Sequence, residues 1–199
     1  TDFLDMYQVS LVESFLKKNK IEQYKLFGGY EDSERKILIT YPESYTEEMV
    51  QKNYEKFLRV VRIELPEEEH GKYAHRNYLG GIVKLGLKRE KVGDILVANE
   101  GADIVSDFAE ILEKELPSLT RFENSKISIT GISNLKKKEI KIENIEIIVP
   151  SLRLDNIVSD LARTSRSKAS QIIAQERVFI NGQNETKVSK QVKLGDIIK

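Results

Sequence analysis

Apolar positions in this chain come in short runs, and the spacing within each run predicts an element. Leu4, Tyr7, Leu11, Val12 and Phe15 recur at helical spacing, and the run closes on Lys17-Lys18-Asn19-Lys20, a charge pattern suited to a helix C-terminus. Lys36 to Tyr41 has strand composition and stops at Pro42, and Glu47 to Asn53 reads as a short helix. Leu58, Val60, Val61, Ile63 and Leu65 mark a second strand over Phe57 to Leu65, ended by Pro66 and Glu67-Glu68-Glu69. Tyr78, Leu79, Ile82, Val83 and Leu85 mark a helix that breaks at Gly86. Strands follow at Asp94 to Ala98 and Gly101 to Val105, then a helix over Asp107 to Leu116 with Phe108, Ile111 and Leu112 inward, and a strand at Leu119 to Phe122.

From Phe57 to Phe122 the order is strand, helix, strand, strand, helix, strand, which predicts a two-layer α/β sandwich of the RRM or ferredoxin-like type. Ser125 to Val149 reads as two β runs with Lys136-Lys137-Lys138 as a basic turn between them. Alternation at Ile140, Ile142, Ile145, Ile147 and Val149 leads the second run to Pro150. Beyond it, Ser151 is placed as N-cap of a helix buried through Leu154, Ile157, Val158 and Leu161. Thr164 and Ser165 can cap a second helix that turns Ala169, Ile172 and Ile173 inward. Val178-Phe179-Ile180 runs into an Asn181-Gly182 turn, and Leu194 to Ile198 supplies a last strand. The fold class is α+β, and we divide the chain into a helix-strand subdomain (1–56), the sandwich (57–149) and a small αα-β unit (150–199).

Composition narrows the class. The chain has 199 residues, 40% hydrophobic and 32% charged, enough for a sizeable core. No run approaches the roughly 20 apolar residues of a membrane helix, and the start lacks the apolar stretch of a signal peptide, so a cytoplasmic location is the default. The absence of cysteine excludes disulfides, thiolate nucleophiles and cysteine-ligated zinc. A first residue other than Met reads as a trimmed start.

The formal net charge of zero conceals a polarised molecule. Ser151 to Lys199 holds nine Lys plus Arg against five Asp plus Glu, a net of +4, which leaves 23 minus 27, or −4, for Thr1 to Pro150. Cations beside hydroxyls (Ser165, Ser167, Ser189) are what phosphate contacts require. Arg166 and Lys168 in the first turn of a helix oppose its macrodipole, a conflict that a polyanion relieves. A second surplus of +4 lies in the acidic region, where Lys72, Arg76, Lys84, Lys88, Arg89 and Lys91 face Glu90 and Asp94 between Gly71 and Ala98.

RLDN at Arg153 to Asn156, TSRSKA at Thr164 to Ala169, VFING at Val178 to Gly182, K-V-S from Lys187 and GDII at Gly195 to Ile198 closely resemble the RNA-binding domain named after small-subunit ribosomal protein four, the S-four domain. The resemblance implies a surface on the two helices and the following strand and turn that grips structured RNA. The chain stops at Lys199, where family members run on through a closing strand, so the last strand is expected to fray. GGYEDSER at Gly28 to Arg35 and HRNYLGGIVKLGLKREKVGDILV at His75 to Val97 resemble signatures of the YlmH family, bacterial proteins with an α/β region before an S-four domain. Asn77 departs from that family's Asp. Membership implies ribosome association, and for some members a role in rescuing stalled large subunits by holding the nascent-chain tRNA.

The candidate RNA-binding residues are Arg153, Arg163, Ser165, Arg166, Ser167, Lys168, Arg177, Asn181, Lys187 and Lys190, with His75, Arg76, Lys88, Arg89 and Lys91 as a second cluster. For Arg153 the alternative is a structural pair with Asp155, and Lys136 to Lys138 reads equally as a solvated turn. His70 and His75 are the only histidines and give no metal site. Gly80, Gly81 and Gly86 lie within or at the end of a helix, which fits close packing and neither a P-loop nor a dinucleotide fingerprint. No carboxylate pair invites an acid/base assignment. The reading is a non-enzymatic protein with no cofactor, membrane or small-molecule substrate, whose partners are rRNA, tRNA and the ribosomal large subunit. The rivals are an RNA-modifying enzyme of the pseudouridine synthase or methyltransferase type, since S-four domains accompany both, and a protein-binding adaptor.

Overall fold

The computed structural model describes residues 2–136 and 144–199. The expected turn residues Lys137 and Lys138, and Ile140 and Ile142 of the alternating run, lie outside them. The chain divides into two compact units, Thr1–Glu139 and Ile140–Lys199.

The first unit opens with α1 (Met6–Lys18), capped by Asp5, whose side chain accepts from the Gln8 N–H while the Gln8 side chain accepts from the Asp5 N–H. Its apolar stripe is not the buried face: Tyr7, Leu11 and Phe15 are exposed and the helix buries Leu16. A short strand the pattern had not announced, β1 (Tyr24–Phe27), pairs antiparallel with β2 (Ile37–Thr40). Next, α2 (Glu47–Phe57) runs four residues beyond the expected helix, with Thr46 as N-cap.

The sandwich is built from β3 (Arg59–Glu64), α3 (His75–Lys84), β4 (Val92–Ala98), β5 (Gly101–Ser106), α4 (Ala109–Glu115) and β6 (Lys126–Gly131). The sheet order β4-β5-β3-β6, with every neighbouring pair antiparallel, is the ferredoxin-like arrangement. Its closing strand is β6 and not Leu119 to Phe122. That stretch is a turn, from which Phe122 plugs the core, stacked on Tyr78 with ring centroids 5.5 Å apart.

The two faces of the sheet follow from the alternation of side chains along each strand. Val61 and Ile63 of β3 and Ala102 and Ile104 of β5 pack with Tyr78, Ile82 and Leu112 under the helices. On the opposite face Val60 and Val105 pack with Phe3, Ile37, Leu58 and Leu135, so the N-terminal segments cover the side that an open sandwich leaves bare. Adjacent glycines of α3 differ in purpose. A Cβ on Gly81 would meet the Phe122 ring at 2.9 Å, whereas one on Gly80, which is exposed, meets nothing closer than an Arg121 nitrogen at 3.9 Å. Packing explains Gly81 only, and a glycine in a helix interior costs about 0.5–1 kcal/mol relative to alanine.

In the second unit α5 (Leu154–Leu161) starts two residues later than expected, at an Arg153 N-cap, while Ser151 Oγ accepts from the Asn156 amide at 2.9 Å. Leu154, Ile157 and Val158 are buried and Leu161 is exposed. The second helix, α6 (Arg166–Ala174), buries Ala169 and Ile173 against α5. Strands β7 (Phe179–Ile180) and β8 (Gln183–Asn184) are joined by Asn181 and Gly182 at φ 51° and 79°, the positive pair that a tight hairpin requires. The chain end is held: Phe179 and Lys199 exchange both backbone hydrogen bonds, at 2.8 and 2.9 Å, so the expected fraying is not found. Of the two β runs expected over Ser125 to Val149, the first contains β6, and the described part of the second, residues 144–149, carries no strand.

Candidate nucleic-acid interface

A charge conflict at the start of α6 organises the second unit. Arg166 and Lys168 occupy its first turn with no acidic residue beside them in sequence. The relief comes from α5: Asp155, 3% exposed, accepts from Arg166 Nε at 2.8 Å. The same carboxylate takes Arg153 Nε and Nη2, both at 3.0 Å. Hydrogen bonds and charge from Arg153 first, then Arg166, hold its pKa down at about 2. One buried anion thus holds two guanidiniums, and it engages Arg166 through Nε on a side chain that is 56% exposed. A planar donor fork held this way is suited to a phosphate.

Neighbouring candidates extend the surface. Helix α5 closes with a bond from Thr164 N to Ser159 O at 2.9 Å, and the residue that must turn left-handed there is Arg163, at φ 47°. Glycine or asparagine is the economical choice at such a position. Ser165 caps α6 by accepting from Lys168 N at 3.2 Å, and Ser167 and Lys168 are exposed. Arg163, Ser165, Arg166, Ser167 and Lys168 therefore share one corner between the helices. Arg177 lies past the other end of α6, exposed. Asn181 is used internally: its amide nitrogen donates to Asp196 and its oxygen accepts from Ile197 N, each at 2.9 Å. Lys187 and Lys190 are exposed, and Lys190 lies 3.7 Å from Glu185. Replacing Arg163 with glycine should stabilise the second unit by about 1 kcal/mol, by removing the left-handed strain, while weakening RNA binding. Thermal melts beside RNA titrations check both signs.

The second cluster is divided. Arg89 turns inward and donates to the carbonyls of Val92 and Gly93, and burial with the nearby Arg35 charge lowers its pKa to about 10. Lys91 pairs with Asp2 and lies 5.9 Å from the Phe108 ring. Burial, followed by the Arg89 charge, lowers the pKa of His75. Arg76 and Lys88 remain at the surface. Asn77 accepts from Ala74 N at 2.9 Å and so stabilises the start of α3. The motifs that carried the resemblance meet at buried Asp94, which accepts from Tyr30 OH (2.7 Å), Glu34 N (2.8 Å) and Arg35 N (3.0 Å). Arg121 had no sequence signal; its guanidinium reaches the Asn77 carbonyl at 2.6 Å, which sets another cation against α3.

Known proteins share this plan. Residues 152–198 match the family model of the S4 domain, the S-four domain of the sequence, and residues 50–147 match the model described as "Putative RNA-binding domain in YlmH". The chain is an S4-domain protein whose preceding α/β unit is also of an RNA-binding type. More narrowly, its two matched regions are those of YlmH-type proteins, which it resembles along its length. A relative from Bacillus subtilis (strain 168), "Ribosome-associated protein quality control protein P2", is 28% identical over 202 positions that span all of this chain and 75% of the relative. A solved structure, "Cell division protein ylmH from Streptococcus pneumoniae", superposes with a TM-score of 0.51 at 19% identity, over 68% of this chain and 81% of that one, a likeness of fold. Among the described residues no helix is long and apolar enough to cross a membrane.

Proposed function

We propose that the protein is a cytoplasmic, non-enzymatic RNA clamp that grips structured rRNA and tRNA on the large ribosomal subunit with the α5–α6 corner, and that it acts on stalled subunits. The observation that carries the reading is the pair Arg153 and Arg166, oriented by buried Asp155 beside exposed Arg163 and Lys168. Cations ordered before a ligand arrives lose little freedom on binding, and their Coulomb attraction to phosphate follows salt through counterion release. The name of the Bacillus relative supports the ribosome as the place of action.

The test is co-sedimentation with large subunits, and tRNA titration, for Arg166→Ala combined with Lys168→Ala at matched salt. Loss of two phosphate contacts should weaken binding roughly tenfold to a hundredfold and reduce the slope of log affinity against log salt by about 1.5. Unchanged binding to both RNAs would place the interface elsewhere.

A further inference from the structure

The first unit has the strand order of an RRM-like sandwich, and such sheets take RNA by stacking bases on aromatics of the exposed face. That route is closed here. The two central strands, β3 and β5, carry no aromatic residue, every residue of β5 is buried, and the face away from the helices is packed under Phe3, Ile37, Leu58 and Leu135. RNA contact by this unit has to use another surface.

Helix α3 offers one. Arg76, Gly80 and Lys84 are exposed and follow one another at four-residue intervals, which sets the two cations about 12 Å apart along one side of the helix. Val83 borders the stripe, 52% exposed. Arg121 reaches the helix at the Asn77 carbonyl, close to Gly80. Beside it opens a cleft of about 450 Å³ whose lining includes Lys72, Lys84, Arg121 and Thr120, with Glu69 and Glu123 as its acids. Glu69 is engaged by Lys72. Arg76 and Lys84 have no ion-pair partner among the described residues.

Gly80 adds a second, independent observation. It sits in a helix interior where glycine is unfavourable and where packing leaves room for a methyl group. A residue without a side chain between two cations lets a ligand backbone approach the helix closely. We propose that the first unit binds the RNA sugar-phosphate backbone along Arg76, Gly80 and Lys84, with Lys72 and Arg121 flanking, and not on its sheet. The proposal rests on the RNA-binding reading above and gives that reading a second surface.

The test uses the full chain and, as probe, a fluorescently labelled RNA hairpin with a single-stranded tail, titrated over a salt series. Gly80→Ala should raise the melting temperature of the first unit by about 2 °C, as helix propensity dictates, and still weaken RNA binding about fivefold. Arg76→Ala with Lys84→Ala should lower the salt slope by about 1.5. Arg163→Ala with Lys168→Ala, in the other unit, is the control. Wild-type affinity in either α3 variant, with the control weakened, overturns this inference and leaves the RNA reading standing. A lowered melting temperature for Gly80→Ala would give the glycine a packing role and also overturn it. If none of the three variants binds RNA less well than wild type, the RNA reading itself fails.

Discussion

Asp155→Ala should cost the second unit about 3 kcal/mol and weaken RNA binding at the same time. The carboxylate is buried and accepts from both Arg153 and Arg166. Without it, two guanidiniums face each other beside the positive end of α6, and their side chains lose the anchor that orders them. A unit of this size has little stability in reserve, so the loss should be visible as a separate early melting transition. Acid should reproduce part of the effect. The folded-state pKa of about 2 lies below the ordinary 3.8, so the contribution is fully present above roughly pH 4 to 5 and disappears as pH falls through the folded value. Asp155→Ala should flatten that portion of the stability-against-pH curve. A variant as stable as wild type at pH 7 would remove the proposed role of the buried anion.

Asp94→Ala should be at least as damaging to the first unit, about 4 kcal/mol. Asp94 accepts from one phenol and two backbone N–H groups, and all three lose their partner when it is cut back. The positive charges of Arg35 and Arg89 stand nearby, and each has its pKa lowered by burial, so the deletion also removes the anion that balances them. Hydrogen exchange gives a local readout: protection of the Glu34 and Arg35 amides should fall in the variant well before the sheet amides of β3 respond. Equal loss in both places would mean that Asp94 stabilises the whole unit without pinning the Gly28 to Arg35 segment.

The fold was most legible where apolar runs were long and bounded by proline or glycine. Val60, Val61 and Ile63 before Pro66, and Ile82 before Gly86, announced β3 and α3 because burial on one face leaves the period of the element in the sequence. The strand at β6 was legible as the first β run after Ser125, but its place as the closing strand went to Leu119 to Phe122, because Phe122 has strand composition yet reaches the core from a turn, whereas β6 shows the core only Ile127 and Ile129. The stripe of α1 misled for the reverse reason: Leu11 and Phe15 are spaced for burial, and the described residues of the first unit leave them exposed. At the candidate interface the cations were visible as residue types, but their commitments were not. Asp155 next to Arg153 suggested a local pair, and only the packing of α6 on α5 brings Arg166, eleven positions on, to the same oxygen. Similarly, Gly80 and Gly81 are indistinguishable until the position of Phe122 is known.

The central claim is that the corner between α5 and α6 holds RNA through charges set in place before RNA arrives. Its most direct measurement is the slope of log affinity against log salt for a labelled tRNA, compared between wild type and a variant with Arg163, Arg166 and Lys168 all changed to alanine. Wild type should show a steep linear dependence and the variant a slope shallower by about 2 to 3, with the fold intact by circular dichroism. A folded variant with the wild-type slope and affinity would contradict it.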